Sequence, residues 1–291
     1  MVEPAKIAAR TAKPQIGEPL PHESAKLHVT GEALYTDDIG TPEGALHAYV
    51  GVSQATHARI KNLNLDAVRN APGVVCVLTA SDIPGSSDIG PVYAGDPLIA
   101  SDTVEFRGQI LFAVAAVSNK AARRAARLAE IEYEMLPAVL DSQTGHELEN
   151  YVRPMHCQRR GDANAAIAEA PMKLEGAFQS GGQEQMYLEG QVSLAIPDED
   201  GKMLVYSSTQ HPSEGQKLVA EVLNIPLSHV TVQVRRMGGA FGGKETNANQ
   251  WACLAALLAN KTSRPVRLKL SRAEDFILTG KRHPFLSKYK V

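Results

Sequence analysis

Apolar positions along the chain recur in two rhythms. Leu46 to Val52 alternates apolar and polar residues as a half-buried strand does. Val74 to Leu78 and Ile110 to Val117 are short β-branched-rich runs, and Lys120 to Ile131 is alanine-rich with helical spacing. Strands alternating with helices predict a mixed α/β arrangement here. Between Pro137 and Gly161 the rhythm lapses into a polar stretch with Gly145, Asn150 and Pro154, the expected linker. Beyond it, a short Ala-rich stretch (Asp162 to Ala170) precedes strands expected at Lys173–Gln179, Gln191–Ile196 and Met203–Ser207. The Asp198-Glu199-Asp200-Gly201 turn should make the last two a hairpin. Pro212 fits the first turn of a helix to about Leu223; a strand at Val230–Arg235, a helix at Thr246–Asn260 and a strand at Val266–Leu270 follow. The first 20 or so residues, with Pro4, Pro14 and Pro19, lack any apolar period and are expected to form an irregular arm. Phe285 to Val291 alternates like a strand and then stops without a turn, so the sequence is expected to be a fragment whose missing part completes a sheet.

Composition narrows the function classes. Across 291 residues, 44% hydrophobic and 21% charged is globular usage, and a net charge of −2 leaves no positive excess for a nucleic-acid backbone or an anionic lipid surface. Neither nucleic acid nor membrane is an expected partner. Met1 to Pro14 lacks the apolar core of a signal peptide and no stretch approaches the roughly 20 apolar residues of a membrane span, so a cytoplasmic location is expected. Cys76, Cys157 and Cys253 are too scattered for a disulfide framework or a self-sufficient zinc or iron–sulfur site, and are expected to be reduced, buried core thiols.

The candidate chemistry sits at Met237 to Glu245 (MGGAFGGKE), a glycine-rich loop between an expected strand and an expected helix. Glycines let main chain approach a ligand closely, and amide N–H groups at a helix N-terminus favour an anionic or oxo-bearing group. A tight turn without ligand is the alternative. Gly238 to Lys244 also satisfies GxxxxGK, but the next residue of a P-loop is a Ser or Thr that holds Mg²⁺, whereas Glu245 would set a carboxylate against polyphosphate. A nucleotide-binding module is the lesser alternative.

The loop resembles the signature of the molybdopterin-binding subunit of the xanthine dehydrogenase family. Gly181 to Glu189 (GGQEQMYLE), Ser207 to Gln210 (SSTQ) and Gly280 to Phe285 (GKRHPF) are similar to that family in its order and spacing. Val29 to Asp38 and Ala55 to Ile60 resemble the opening of its α/β hammerhead domain. The resemblance implies an α+β fold: an N-terminal arm (1–20), an α/β hammerhead domain (21–137), a linker (138–160) and the first part of a molybdenum-cofactor-binding α+β domain (161–291). It further implies a molybdenum hydroxylase that oxidises purines such as hypoxanthine and xanthine, taking oxygen from water. Electrons would pass to 2Fe-2S clusters and FAD on a partner chain, in a hetero-oligomer, because three dispersed cysteines cannot hold those clusters. An aldehyde or carbon monoxide oxidising relative is one alternative; an inactive fragment or binding module is another.

Carried over by position, Gln210 and Phe241 are the residues beside the metal. Gln210 would donate its amide N–H to the molybdenum centre, and Gly239, Ala240, Phe241 and Gly242 would line the cofactor. For Gln210 the bland alternative is an amide capping the helix near Pro212. Glu245 matches the family's substrate-binding glutamate, and would hydrogen-bond a purine; aldehyde-oxidising members carry an apolar residue there. Its alternative role is a carboxylate favoured by a helix dipole. Glu184 and Glu189 are expected to be solvated or structurally hydrogen-bonded, and His57, His156 and His211 lack metal-ligand spacing. The family's catalytic base, substrate-orienting arginine and purine-stacking aromatics match positions beyond Val291. No catalytic residue is therefore expected in this chain, which alone should show no turnover and weak or absent molybdenum binding.

Overall fold

The computed structural model describes residues 16–17 and 19–291, so the expected arm lies almost wholly outside the described residues. The described residues up to Leu34 form a unit of their own, in which the short helix α1 (Ala25–Thr30) closes at Gly31. There a φ of 75° lets the glycine N–H turn back to the Leu27 carbonyl.

From Tyr35 onward the chain folds as a second unit. Its first part holds β1 (Leu46–Val52), β2 (Ala58–Asn64), α2 (Asp66–Arg69), β3 (Val74–Leu78), β4 (Thr103–Val104), β5 (Ile110–Ala116), α3 (Asn119–Ala126) and β6 (Glu130–Met135). Two short helices follow, α4 (Ser142–Glu147) and α5 (Ala163–Glu169). The last part holds β7 (Glu175–Ser180), β8 (Val192–Pro197), β9 (Met203–Ser207), α6 (Pro212–Leu223), β10 (Val230–Gln233), α7 (Asn247–Thr262), β11 (Val266–Lys269), α8 (Arg272–Leu278) and β12 (Phe285–Lys290). It is an α+β arrangement in which helices cover the faces of a mixed sheet.

That sheet has seven strands in the order β10-β9-β8-β11-β1-β5-β3, drawing strands from both sides of the expected linker. The seam is the parallel pair β1 and β11, with Leu46 opposite Val266 and Ala48 opposite Leu268. β5 is buried along its whole length because it feeds two cores. Ile110, Ala113 and Ala115 face the helices α6 and α7, whereas Phe112, Val114 and Ala116 face Ala122 and Ala125 of α3. Gly51 of β1 lies opposite Phe112, where an added Cβ would fall 2.0 Å from the ring. At the centre, Trp251 to Ala259 of α7 are all buried. Two smaller sheets stand apart, β4-β2-β6 and β12-β7.

Most expected elements appear within a residue or two of their sequence limits. The helix expected to reach Ile131 is the exception. It ends at Ala126, and Glu130–Met135 is strand β6, paired antiparallel to β2. Alternation decides against propensity: Ile131 and Tyr133 pack on the core while Glu130, Glu132 and Glu134 point away. Helix α8 was not expected, although Ser271 and Glu274 form a capping box that its sequence spells out. Two of the three cysteines also depart from the expected burial. Cys253 is buried, Cys76 is partly buried, and Cys157 is exposed in the linker stretch.

Candidate functional site at the glycine loop

The strand β9 ends at Ser207, and Ser208-Thr209-Gln210 lead from it toward α6. Separately, β10 runs out into the glycine loop, which leads at Thr246 into α7. These two chain ends meet. The Gln210 N–H donates to the Lys244 carbonyl at 2.9 Å, the Thr209 hydroxyl donates to the same carbonyl at 3.1 Å, and the Lys244 N–H donates to Gln210 Oε1 at 3.2 Å. With its oxygen held by a donor, the Gln210 amide presents its nitrogen the other way, and the side chain is exposed. It does not cap α6, whose N-cap is His211 and which has no side-chain capping bond.

Within the loop, Gly239 and Gly242 have φ of 92° and 88°, and Phe241 between them has φ of 54°. A bulky residue in this region is strained by about 1–3 kcal/mol, and Phe241 is nonetheless 64% exposed. It is an aromatic held out, not a core residue. Gly243 needs to be glycine for space, since a Cβ would lie 2.6 Å from the Tyr187 ring. Among the described residues, no hydrogen bond takes up the backbone N–H of Gly239, Ala240, Phe241 or Gly242. Glu245 is exposed and stands one residue ahead of the Thr246 N-cap of α7. A cavity of about 440 Å³ opens at this helix end, lined by Phe106, Thr246, Asn247, Gln250 and His283 among others.

Beneath the loop lies a core of polar groups. Lys244 is fully buried, and its ammonium donates to the Glu189 carbonyl at 2.6 Å and to Ser208 Oγ at 2.7 Å, 3.6 Å from Glu189 Oε2. The ammonium also lies 4.6 Å from the Tyr187 ring centroid. Burial pushes the Lys244 pKa below the ordinary lysine range, a shift that the Glu189 and Asp275 carboxylates oppose. Glu189 Oε2 accepts from Ser208 Oγ at 2.7 Å and from the Gly238 N–H at 3.0 Å. Alongside, the Tyr187 hydroxyl donates to Asp275 at 2.5 Å, the Gln191 N–H donates to the same carboxylate at 2.7 Å, and the Gln191 amide reaches the Gly243 carbonyl at 3.0 Å. Burial, then the bond to Asp275, pushes the Tyr187 pKa above the ordinary phenol range.

Glu189 is thus structurally hydrogen-bonded, as expected, and Glu184 is ion-paired to Lys281 at 2.7 Å. The nucleotide alternative loses its lysine, because a phosphate ligand cannot be reached by an ammonium enclosed on all sides. Sequence reasoning passed over Tyr187, Gln191, Ser208 and Asp275 as a supporting set. Tyr187 and Ser208 lie in the GGQEQMYLE and SSTQ segments, and Asp275 lies in the capped first turn of α8.

Comparison with known proteins decides the family. Residues 145–291 match the model of the molybdopterin cofactor-binding domain, and residues 30–137 match the a/b hammerhead domain of aldehyde oxidase and xanthine dehydrogenase. The chain belongs to the molybdopterin cofactor-binding family. Among relatives, xanthine dehydrogenase/oxidase of Mus musculus is 40% identical over 277 residues, 95% of this chain and 21% of that protein. Xanthine dehydrogenase of Oryza sativa is 39% identical over 280 residues, 95% of this chain and 20% of that protein. The chain spans about a fifth of the length of these relatives. Among solved structures, the aldehyde oxidoreductase of Desulfovibrio gigas superposes with a TM-score of 0.81 at 25% identity, covering 93% of this chain and 32% of that one. The CO dehydrogenase of Oligotropha carboxidovorans gives 0.78 at 22% identity, over 94% and 37%, a likeness of fold.

The residues fit a molybdopterin cofactor in two respects. Unclaimed N–H groups along Gly239 to Gly242 are donors for the oxygens of such a group, and the Gln210 amide nitrogen is a further, neutral donor. Among the described residues no cluster of three or more His, Cys, Asp or Glu side chains is placed to hold a metal ion. No helix of the described residues is long and apolar enough to cross a membrane.

Proposed function

We propose that this chain forms one wall of the active site of a molybdenum hydroxylase that oxidises purines. The observation that carries the reading is the pairing of Lys244 N–H with Gln210 Oε1, which sets a fixed amide donor beside a loop of unclaimed N–H groups. A bound molybdenum–pterin centre supplies the two-electron chemistry that protein side chains lack. Gly239, Ala240, Phe241 and Gly242 line it, with Gln210 and Phe241 nearest the metal. Gln210 donates a hydrogen bond without adding charge, and Phe241 excludes water with its exposed ring. Glu245 accepts from the purine's ring N–H groups and offsets charge that develops there. The relatives named xanthine dehydrogenase support the purine substrate. The 2Fe-2S clusters and FAD belong to a partner chain in a hetero-oligomer, and the assembly works in the cytoplasm.

The likeness to aldehyde oxidoreductase favours a second reading, an aldehyde substrate. Glu245 separates the two, since a carboxylate has a partner on a purine and none on a simple aldehyde. In the full-length enzyme, Glu245→Ala is expected to lower kcat/KM for xanthine by about 10²-fold, the loss of one charge-stabilising group, with molybdenum content unchanged. Wild-type kinetics would remove the purine assignment and leave the aldehyde reading.

A further inference from the structure

We propose that Lys244 and Glu189 are positioning residues, whose buried pair sets the shape of the glycine loop and, through it, the direction of the Gln210 amide. The proposal rests on the reading of Gln210 as a donor to the cofactor. Lys244 is the residue at which three chain segments join. Its main chain makes three bonds to the end of β9, two through its carbonyl and one through its N–H. Its side chain reaches back under the loop to Glu189 and Ser208.

Glu189 holds the other end of the loop. The same carboxylate oxygen accepts from Gly238 N–H and from Ser208 Oγ and faces the lysine ammonium. Gly238, Glu189, Ser208 and Lys244 therefore close a ring of bonds across the base of the loop, so that its first and last residues cannot separate. Space reinforces this, since a Cβ on Gly238 would lie 2.6 Å from the Glu189 Cβ. Neither charge faces solvent: the Lys244 side chain is 0% and the Glu189 side chain 8% exposed. Two buried charges are an expensive way to make a turn, as an apolar pair of equal volume is often as stable or more so. What the pair adds is direction. An ammonium with fixed acceptors fixes the Lys244 main chain, and the Lys244 N–H dictates which end of the Gln210 amide faces outward.

The test uses the full-length protein. Lys244→Met and Ser208→Ala are compared with Gln210→Ala for molybdenum content, kcat and KM with xanthine, and the electron paramagnetic resonance signal of the metal centre. Lys244→Met is expected to lower kcat by about 10–100-fold, as loss of an outer partner of a metal site does, with KM and molybdenum content little changed. Its signal should be displaced in the direction that Gln210→Ala displaces it. The double variant Lys244→Met with Gln210→Ala should be no slower than Gln210→Ala alone, because one residue acts through the other. Metal content that falls in step with kcat while the remaining centre keeps its wild-type signal overturns the proposal, as do losses that multiply in the double variant. Should Lys244→Met protein fail to accumulate, Ser208→Ala decides, since it removes a bond to the ammonium and one to Glu189 without stranding a charge. Its kcat is expected to fall about 3–10-fold with the same displacement, and an unaltered signal overturns the proposal. Wild-type kinetics and signal for Gln210→Ala would instead sink the cofactor reading itself. A strong Gln210→Ala effect beside silent Lys244→Met and Ser208→Ala refutes positioning alone.

Discussion

Two cores lie side by side in this molecule and are built on opposite principles. Around α7 and β5, the apolar core is of Leu, Ile, Val, Ala and Trp side chains with Cys253, packed by shape. Beneath the glycine loop they are Lys244, Glu189, Tyr187, Gln191 and Asp275, held by directed bonds. Apolar contact is non-directional and grows with area, so the first core tolerates rearrangement that preserves volume. A hydrogen bond fails within a few tenths of an ångström or a few tens of degrees, and a buried group left without one costs its full desolvation. The second core is accordingly the one that can hold a loop in a strained shape.

The sharpest way to break the comparison is a pair of substitutions. Asp275→Ala leaves the buried Tyr187 hydroxyl and Gln191 N–H without their acceptor. At about 1–3 kcal/mol for each stranded group, urea denaturation should show a loss of about 2–6 kcal/mol. Leu254→Met in α7 keeps volume and polarity and should cost less than about 1.5 kcal/mol. Equal losses would mean that the two cores do not differ in kind.

A smaller effect tests whether the polar core and the loop are fitted to each other. Gly243→Ala drives a Cβ toward the Tyr187 ring, 2.6 Å away, and toward the Ala240 carbonyl at 3.0 Å. Overpacking of this sort should cost about 1–3 kcal/mol, read again by denaturation. No change would show that the ring can step aside and that the loop is not clamped from below.

The smallest effect concerns charges outside both cores. Asp37, in the turn before β1, meets Arg267 at 2.9 Å and Lys269 at 2.6 Å, both on β11. Partial burial pushes its pKa up, but the hydrogen bonds and charges of Lys269 and Arg267 outweigh it and hold the carboxyl below the ordinary aspartate range. A depressed folded pKa means that the unfolded chain binds the proton more readily. The stabilisation is thus complete above the ordinary aspartate pKa and is lost as pH falls through the depressed one. Asp37→Asn should flatten that part of the acid limb in a pH series of denaturation curves. Because the aspartate is a third exposed, the effect should be no more than about 1 kcal/mol. A larger one would place this seam with the buried polar core.

Much of this protein was legible before folding. Alternation and helical spacing located the strands of the main sheet and the helices α6 and α7, because burial on one face repeats at the period of the element. Local chemistry located the loop, since four glycines around a single aromatic mark a main chain that must pass close to something, and resemblance pointed to Gln210 and Glu245. Propensity misled at Lys120 to Ile131, where alanines favoured a helix past the point at which β2 supplies a partner for Glu130–Met135.

What only the tertiary structure decided is who meets whom. No periodicity foretells that β1 lies beside β11, 220 residues apart at the Leu46 and Val266 pair, joining strands from both sides of the linker in one sheet. Nor does it show that Lys244 turns inward to Glu189, or that Tyr187, Gln191 and Asp275 share one network, the last two 84 residues apart. A local pattern records how each residue relates to its own element, whereas a directed bond between distant segments exists only once packing has brought donor and acceptor within about 3 Å.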